Sequence, residues 1–154
     1  MHKAIIRRAT IGDVTFIHKL VNSFAEKGLM LGRPLSNLYE LVRDFYVADL
    51  DGEPIGCAAL HVVWLDLAEL KSLAVMEQYQ RHRTGRALVE ACVNEARLLG
   101  IKRIFVLTNA PEFFRRMDFQ DISKEQLPHK VWADCVDCPK FPDCDEQALV
   151  LDLE

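Results

Sequence analysis

The sequence predicts an α/β protein, a mixed central β-sheet flanked by helices. Apolar residues recur at helical spacing near the start and again between residues 85 and 99. Between residues 45 and 75, and after residue 101, they instead form strand-like runs separated by turn signals. The resulting order is β-α-α-β-β-β-α-β-α-β, and a length of 154 residues fits one domain spanning 1–154. A chain of this size buries about 70% of its unfolded surface and needs no staples to fold.

Each element has its own signal. Lys3 to Ala9 reads as a first strand, ending in Arg7-Arg8. Thr10 and Asp13 offer helix caps, and Ile11, Val14, Ile17, Leu20, Val21 and Phe24 carry a helix to about Lys27, where Gly28 stops it. Ser36 is placed to cap a short second helix holding Leu38, Leu41 and Val42. Phe45 to Leu50 is a strand, Asp51-Gly52 a hairpin turn, and Ile55 to Trp64 a nearly continuous apolar strand. Asp66 marks another turn before a third antiparallel strand, Leu67 to Val75. Gly85 to Leu99 is a helix with Leu88, Ala91, Cys92, Ala96 and Leu99 on one face, closed by Gly100. Ile101 to Leu107 is a strand and Pro111 begins a short helix through Met117. Phe119 to Ile122 fits a further strand, and the last runs from Gln147 to Leu153.

Composition excludes several function classes. The net charge of −4 argues against a basic nucleic-acid binder. No run reaches the 18 or so apolar residues of a membrane helix, and residues 1–8 lack the apolar block of a signal peptide. A cytoplasmic protein is expected. The charge is uneven: residues 134–154 carry −6, residues 1–133 carry +2.

One loop concentrates the positive charge. Gln80, Arg81, His82, Arg83, Thr84, Gly85, Arg86 and Ala87 lead into the long helix. A helix N-terminus offers unpaired N–H groups and the positive end of its dipole, and guanidinium forks match phosphate oxygens. Read on chemistry alone, the segment is either an anion site or a solvated basic loop capping a helix.

Leu73-Ala74-Val75 followed by Gln80 to Leu88 resembles the acetyl-CoA motif of the GNAT N-acetyltransferases, Q/R-x-x-G-x-G/A. Gln80 and Gly85 match its ends. Arg83 stands where the middle glycine is expected, so either Arg adopts a left-handed conformation at a steric cost or the loop is reshaped. The order of elements also resembles the GNAT fold. The resemblance narrows further on Gly28 to Leu35, Ala68 to Val75, Pro111-Glu112-Phe113-Phe114, Pro128 to Trp132 and Cys135-x-x-Cys138 through Glu146. Together these look like the short, single-domain N-acetylglutamate synthases of bacterial arginine biosynthesis, which have no amino-acid-kinase domain.

The resemblance implies acetyl-CoA as cosubstrate, bound by the loop and by the backbone of Leu73, Ala74 and Val75, with Asn109, Phe113 and Phe114 beside it. Glu69 matches the family's general base; its plainer reading is a sheet-edge carboxylate paired with an Arg. Many family members carry a Tyr where Phe114 stands, and Phe cannot protonate a thiolate. Asp118 replaces the usual glycine before Phe119. Arg33 matches the family's substrate-carboxylate arginine, with Lys71 and Lys130 as candidates for a second carboxylate.

Cys135, Cys138 and Cys144 have partial zinc spacing, within a cysteine-containing loop at 134–146. The ligand set is incomplete, so free thiols are favoured over zinc, with a redox switch third. Cys57 and Cys92 fall on apolar faces and are expected in the core. The sequence therefore points to acetyl transfer from acetyl-CoA to the α-amine of L-glutamate, with no nucleic-acid or membrane partner and a homodimer left open. The rivals are a GNAT enzyme for another amine, a non-catalytic acyl-CoA-binding module, and a sensor built on the cysteines.

Overall fold

A computed structural model describes residues 3–127 and 146–153. The strands are β1 (Ile5–Arg8), β2 (Phe45–Leu50), β3 (Glu53–Trp64), β4 (Leu67–Val75), β5 (Arg103–Thr108), β6 (Gln120–Ile122) and β7 (Gln147–Asp152). The helices are α1 (Val14–Glu26), α2 (Leu35–Glu40), α3 (Thr84–Leu99) and α4 (Pro111–Arg115). The seven strands form one mixed sheet in the order β1-β2-β3-β4-β5-β7-β6, in which only β4 and β5 run parallel. Helix α3 makes the crossover that a parallel pair requires.

Local chemistry accounts for most boundaries. Asp51 and Gly52 both have positive φ, 53° and 90°, as a two-residue primed hairpin turn demands. Asp13 ends a 3-10 turn and opens α1; its carboxylate accepts from the Thr10 N–H at 2.7 Å and from two nitrogens of Arg7 at 2.7 and 2.9 Å. The expected cap at Ser36 is wrong. Helix α2 begins at Leu35, behind Pro34 in an extended conformation, so Ser36 lies inside the helix. Proline's fixed φ sets the entry earlier, with Pro34 rather than Ser36 at the N-cap, and no side chain caps it.

The core has two faces. Helices α3 and α4 cover one, packing Leu88, Val89, Cys92, Ala96 and Phe114 onto Ala58, Leu60, Leu70, Ile104 and Val106. Helices α1 and α2 cover the other over β2–β4, with Val14, Ile17, Val21 and Leu38 against Phe45, Val47, Cys57 and Ala74. Cys57 and Cys92 are both fully buried, as the apolar pattern predicts.

Two irregularities shape β4. It pairs with β5 only through Leu67↔Arg103, Ala68↔Ile104 and Glu69↔Phe105. Beyond Glu69 the two strands part, and Val106 to Thr108 pair with β7 alone. On its other edge β4 bulges: Cys57 faces Ala74 and Ala59 faces Lys71, so Ala58 is opposed by both Ser72 and Leu73. Ser72 has φ 56°, the left-handed geometry of a bulge that normally takes glycine.

Candidate active site

The gap between β4 and β5 is the centre of the site. Among the described residues, no strand pairs with Leu70 to Val75 on that edge, because β5 has turned away. Leu73, Ala74 and Val75 lie on this open edge.

The basic loop lies directly beyond it. The Gln80 side chain donates to the Val75 carbonyl at 2.9 Å, so its amide ties the loop to β4. Arg81 and Arg83 adopt left-handed conformations, φ 72° and 63°. Arg83 thus takes the left-handed conformation, at the steric cost a side chain carries there. Arg83 is also the residue at the N-cap of α3, and no side chain caps that helix. Among the described residues, the N–H groups of Arg81 to Arg86 make no hydrogen bond. Arg81, His82, Arg83 and Arg86 are exposed, whereas Thr84 is buried at the helix start. The result is an open row of N–H donors flanked by cations, the arrangement that holds a phosphate.

The aromatic residues divide their roles. Phe113 lies against Gly85, its ring edge 3.5 Å from where a Cβ there would sit. Phe114 is 5% exposed, stacked edge-on between Phe113 and Phe119 inside the core. Its position therefore offers packing and leaves Phe113 as the ring nearest the loop. Asn109 is exposed just past the end of β5. Asp118 has φ 71°, so it occupies the left-handed site after α4 where glycine is usual.

On the α1–α2 face of β4, a polar group gathers. Arg33 is only 9% exposed. Its Nε donates to Asn37 Oδ1 and its Nη1 to Ser72 Oγ, both at 3.0 Å, and its guanidinium lies 5.1 Å from the Phe45 ring centroid. Among the described residues no carboxylate lies within ion-pair distance of it. Burial lowers Arg33 from the ordinary arginine range, and the charges of Asp44 and Glu69 pull it back. It stays a cation, since guanidinium does not deprotonate in proteins. A buried cation held by neutral partners is prepared for an anion that the described residues do not supply.

The loop that presents Arg33 is clamped. Asn22 on α1 accepts from the Arg33 N–H at 3.2 Å and donates to the Arg33 carbonyl at 3.1 Å. A Cβ at Gly32 would come within 2.6 Å of Asn22 Oδ1, so only glycine permits this approach. Glu69 and Lys71 project from β4 on the same face, with Lys71 Nζ 3.7 Å from Glu69 Oε1. Among the described residues Lys71 is a cation at ion-pair distance from Glu69. The structure brings Glu69, Lys71 and Arg33 together at the splay. Lys130 and the cysteines Cys135, Cys138 and Cys144 lie outside the described residues. Among the described residues no cluster of three or more metal-ligating side chains occurs.

Sequence reasoning missed Ser72, Asn22, Asn37 and the His61–Asp44 pair, in which His61 Nδ1 lies 2.7 Å from Asp44 Oδ2. Gly32 before Arg33 was a signal for the clamp. Ser72 and His61 depend on strand register, whereas Asn37 is brought to Arg33 by the short turn into α2.

A splayed β4–β5 pair, an open-ended helix behind a basic loop and a carboxylate on the splayed strand define an acyl-CoA N-acyltransferase fold. Residues 18–119 match the Acetyltransferase (GNAT) family, and the chain belongs to it. The protein is an acetyl-CoA-dependent N-acetyltransferase. It is 41% identical over 148 residues to an uncharacterized N-acetyltransferase of Chlorobaculum tepidum, covering 96% of each chain. It is 42% identical over 133 residues to an amino-acid acetyltransferase of Mycobacterium tuberculosis, covering 84% of this chain and 76% of that one. The structure superposes on N-acetylglutamate synthase of Neisseria gonorrhoeae, bound to coenzyme A and N-acetyl-glutamate, with a TM-score of 0.90 and 31% identity. That match covers 98% of this chain and 35% of the larger one. No helix among the described residues is long and apolar enough to cross a membrane.

Proposed function

We propose that the protein transfers acetyl from acetyl-CoA to the α-amine of L-glutamate, the first step of arginine biosynthesis, in the cytoplasm. The observation that carries this reading is Arg33, a buried guanidinium beside the splayed strand with no carboxylate partner among the described residues. An amino-acid substrate brings that carboxylate. Relatives named amino-acid acetyltransferase support the substrate class, and a neighbour holding N-acetyl-glutamate supports glutamate.

Chemistry follows from the placement of the groups. The row of N–H groups at Arg81 to Arg86 and the flanking arginines take the cofactor's pyrophosphate. The pantetheine arm runs into the gap beside β4, with Asn109 and Phe113 alongside. Arg33 takes one substrate carboxylate and Lys71 the other, which leaves the α-amine as the one free nucleophile. Glu69 accepts a proton from the ammonium, directly or through water. The amine attacks the thioester carbonyl, and an N–H from Leu73 to Val75 holds the oxyanion. The C–S bond then breaks, and the nitrogen gives its second proton to solvent to leave the neutral amide. Phe114 has no proton to give, and the free thiol's pKa near 8.5 makes the thiolate an adequate leaving group that takes its proton from solvent.

The test is release of free CoA thiol from acetyl-CoA across a panel of amines. Glutamate is expected to give the highest kcat/KM, with aspartate and polyamines at least roughly tenfold lower, the selectivity that one misplaced charge-assisted contact confers. Equal release with a polyamine would reject the substrate. Tight CoA binding without turnover of any amine would reject the catalytic reading.

A further inference from the structure

Glu69 does not stand alone on its face of the sheet. In the β3–β4 register its direct cross-strand partner is His61. Such partners lie on one face with Cβ atoms about 4.5–5.5 Å apart. His61 is in turn held by Asp44, from the turn just ahead of β2, at 2.7 Å between Nδ1 and Oδ2. A carboxylate can only accept, so Nδ1 carries the proton and Nε2 of the neutral ring is the acceptor. The His61 side chain is 38% exposed, so water reaches it. The charged groups that face this cluster, among the described residues, are Asp44, Glu69 and Lys71, together with Arg33, which feels the charges of Asp44 and Glu69.

We infer that His61, oriented by Asp44, is a positioning residue that passes on the proton Glu69 removes from the substrate ammonium. The inference rests on the catalytic reading above. A carboxylate is a weak base toward an ammonium, and a proton held on Glu69 would block the next turnover unless it moved on. The step balances without any oxidant. The ammonium N–H bond breaks and the proton joins a Glu69 oxygen. That O–H then breaks as Nε2–H forms on His61, and the imidazolium rests beside the Asp44 carboxylate. Release to water restores the neutral ring. Imidazole is the side chain suited to this, because its charge changes between about pH 5 and 8. An ordinary surface ion pair tying β3 to β2 would leave no such mark on catalysis.

The experiment is the pH profile of kcat/KM for the amino-acid substrate in the wild type, His61→Gln and Asp44→Asn, with folding checked by thermal melts. The ring must be neutral to accept, so wild-type activity is expected to fall on the acid side of the profile. His61→Gln is expected to lower kcat by roughly 10–100-fold at pH 7 and to remove that limb, with the acetyl-CoA KM unchanged. Asp44→Asn takes away the carboxylate that orients the ring and is expected to lower kcat in the same direction as His61→Gln, with the acetyl-CoA KM unchanged. A His61→Gln enzyme that melts normally and keeps the wild-type kcat and acid limb overturns the inference while leaving the function intact. A wild type that turns over no amino acid overturns the function, and the inference with it.

Discussion

Ser72 and Arg83 are two residues in backbone conformations that favour glycine, and both sit where the site needs something from a side chain. Ser72 holds φ 56° at the bulge and accepts from Arg33. Arg83 holds φ 63° at the mouth of α3 and presents an exposed guanidinium. Left-handed geometry costs a side-chain-bearing residue roughly 1–2 kcal/mol. Arg83→Gly should therefore stabilise the fold by up to about 1 kcal/mol, after the entropy glycine adds to the unfolded chain, and should weaken CoA binding. Thermal melts and CoA titration check the two signs. Glu69 touches the reacting amine in the proposed mechanism. Glu69→Gln should lower kcat by roughly 10²–10⁴-fold while leaving the acetyl-CoA KM within a few-fold of wild type, read in the thiol-release assay.

The elements hold these residues in place through contacts made across long sequence distances. The Arg33 loop hangs from α1 by the two bonds to Asn22, and Gly32 makes room for them. Gly32→Ala pushes a Cβ into Asn22 and should raise the KM for the amino acid several-fold more than that for acetyl-CoA, as measured by two-substrate kinetics. Near the start of the chain, Arg7 bridges Asp13 and Asp49. Hydrogen bonds from Arg7 hold the Asp13 carboxyl below the usual carboxylate range. A lowered folded value means the stabilisation is fully present above the ordinary range near 3.9 and is lost as pH falls through the lowered one. Asp13→Asn should cost about 1–2 kcal/mol at pH 7, and much less at pH 3, in urea melts at the two pH values.

The same elements show what was readable beforehand. The Asp51-Gly52 turn, the caps at Thr10 and Asp13, and the change of apolar period at Phe45 are local, and they placed most elements within two residues. The loop from Gln80 to Ala87 was legible because its charge and glycine are contiguous. The bulge at Ser72, the parting of β4 from β5 and the pairing of His61 with Glu69 were not. Each depends on register between distant strands, which no local pattern encodes. Ser36 misled because Pro34 acted first.

Across the whole molecule, one sheet with a different core on each face divides the labour. The α3–α4 side carries the loop and Phe113, while the α1–α2 side carries Arg33, and β4 is shared by both. Cys57 and Cys92 lie one in each core, and burial pushes both thiols up to about 12. Iodoacetamide at pH 8 should leave both unmodified in the native protein and label both in urea, as read by peptide mapping. In the proposed mechanism the two substrates meet at β4 from opposite sides, with Arg33 serving only the amino acid. Steady-state kinetics of Arg33→Ala in both substrates tests it most directly. The glutamate KM is predicted to rise by roughly 30-fold or more, the loss of about 2 kcal/mol from a charge-assisted pair, with the acetyl-CoA KM unchanged. A variant in which only the acetyl-CoA KM moved would contradict it.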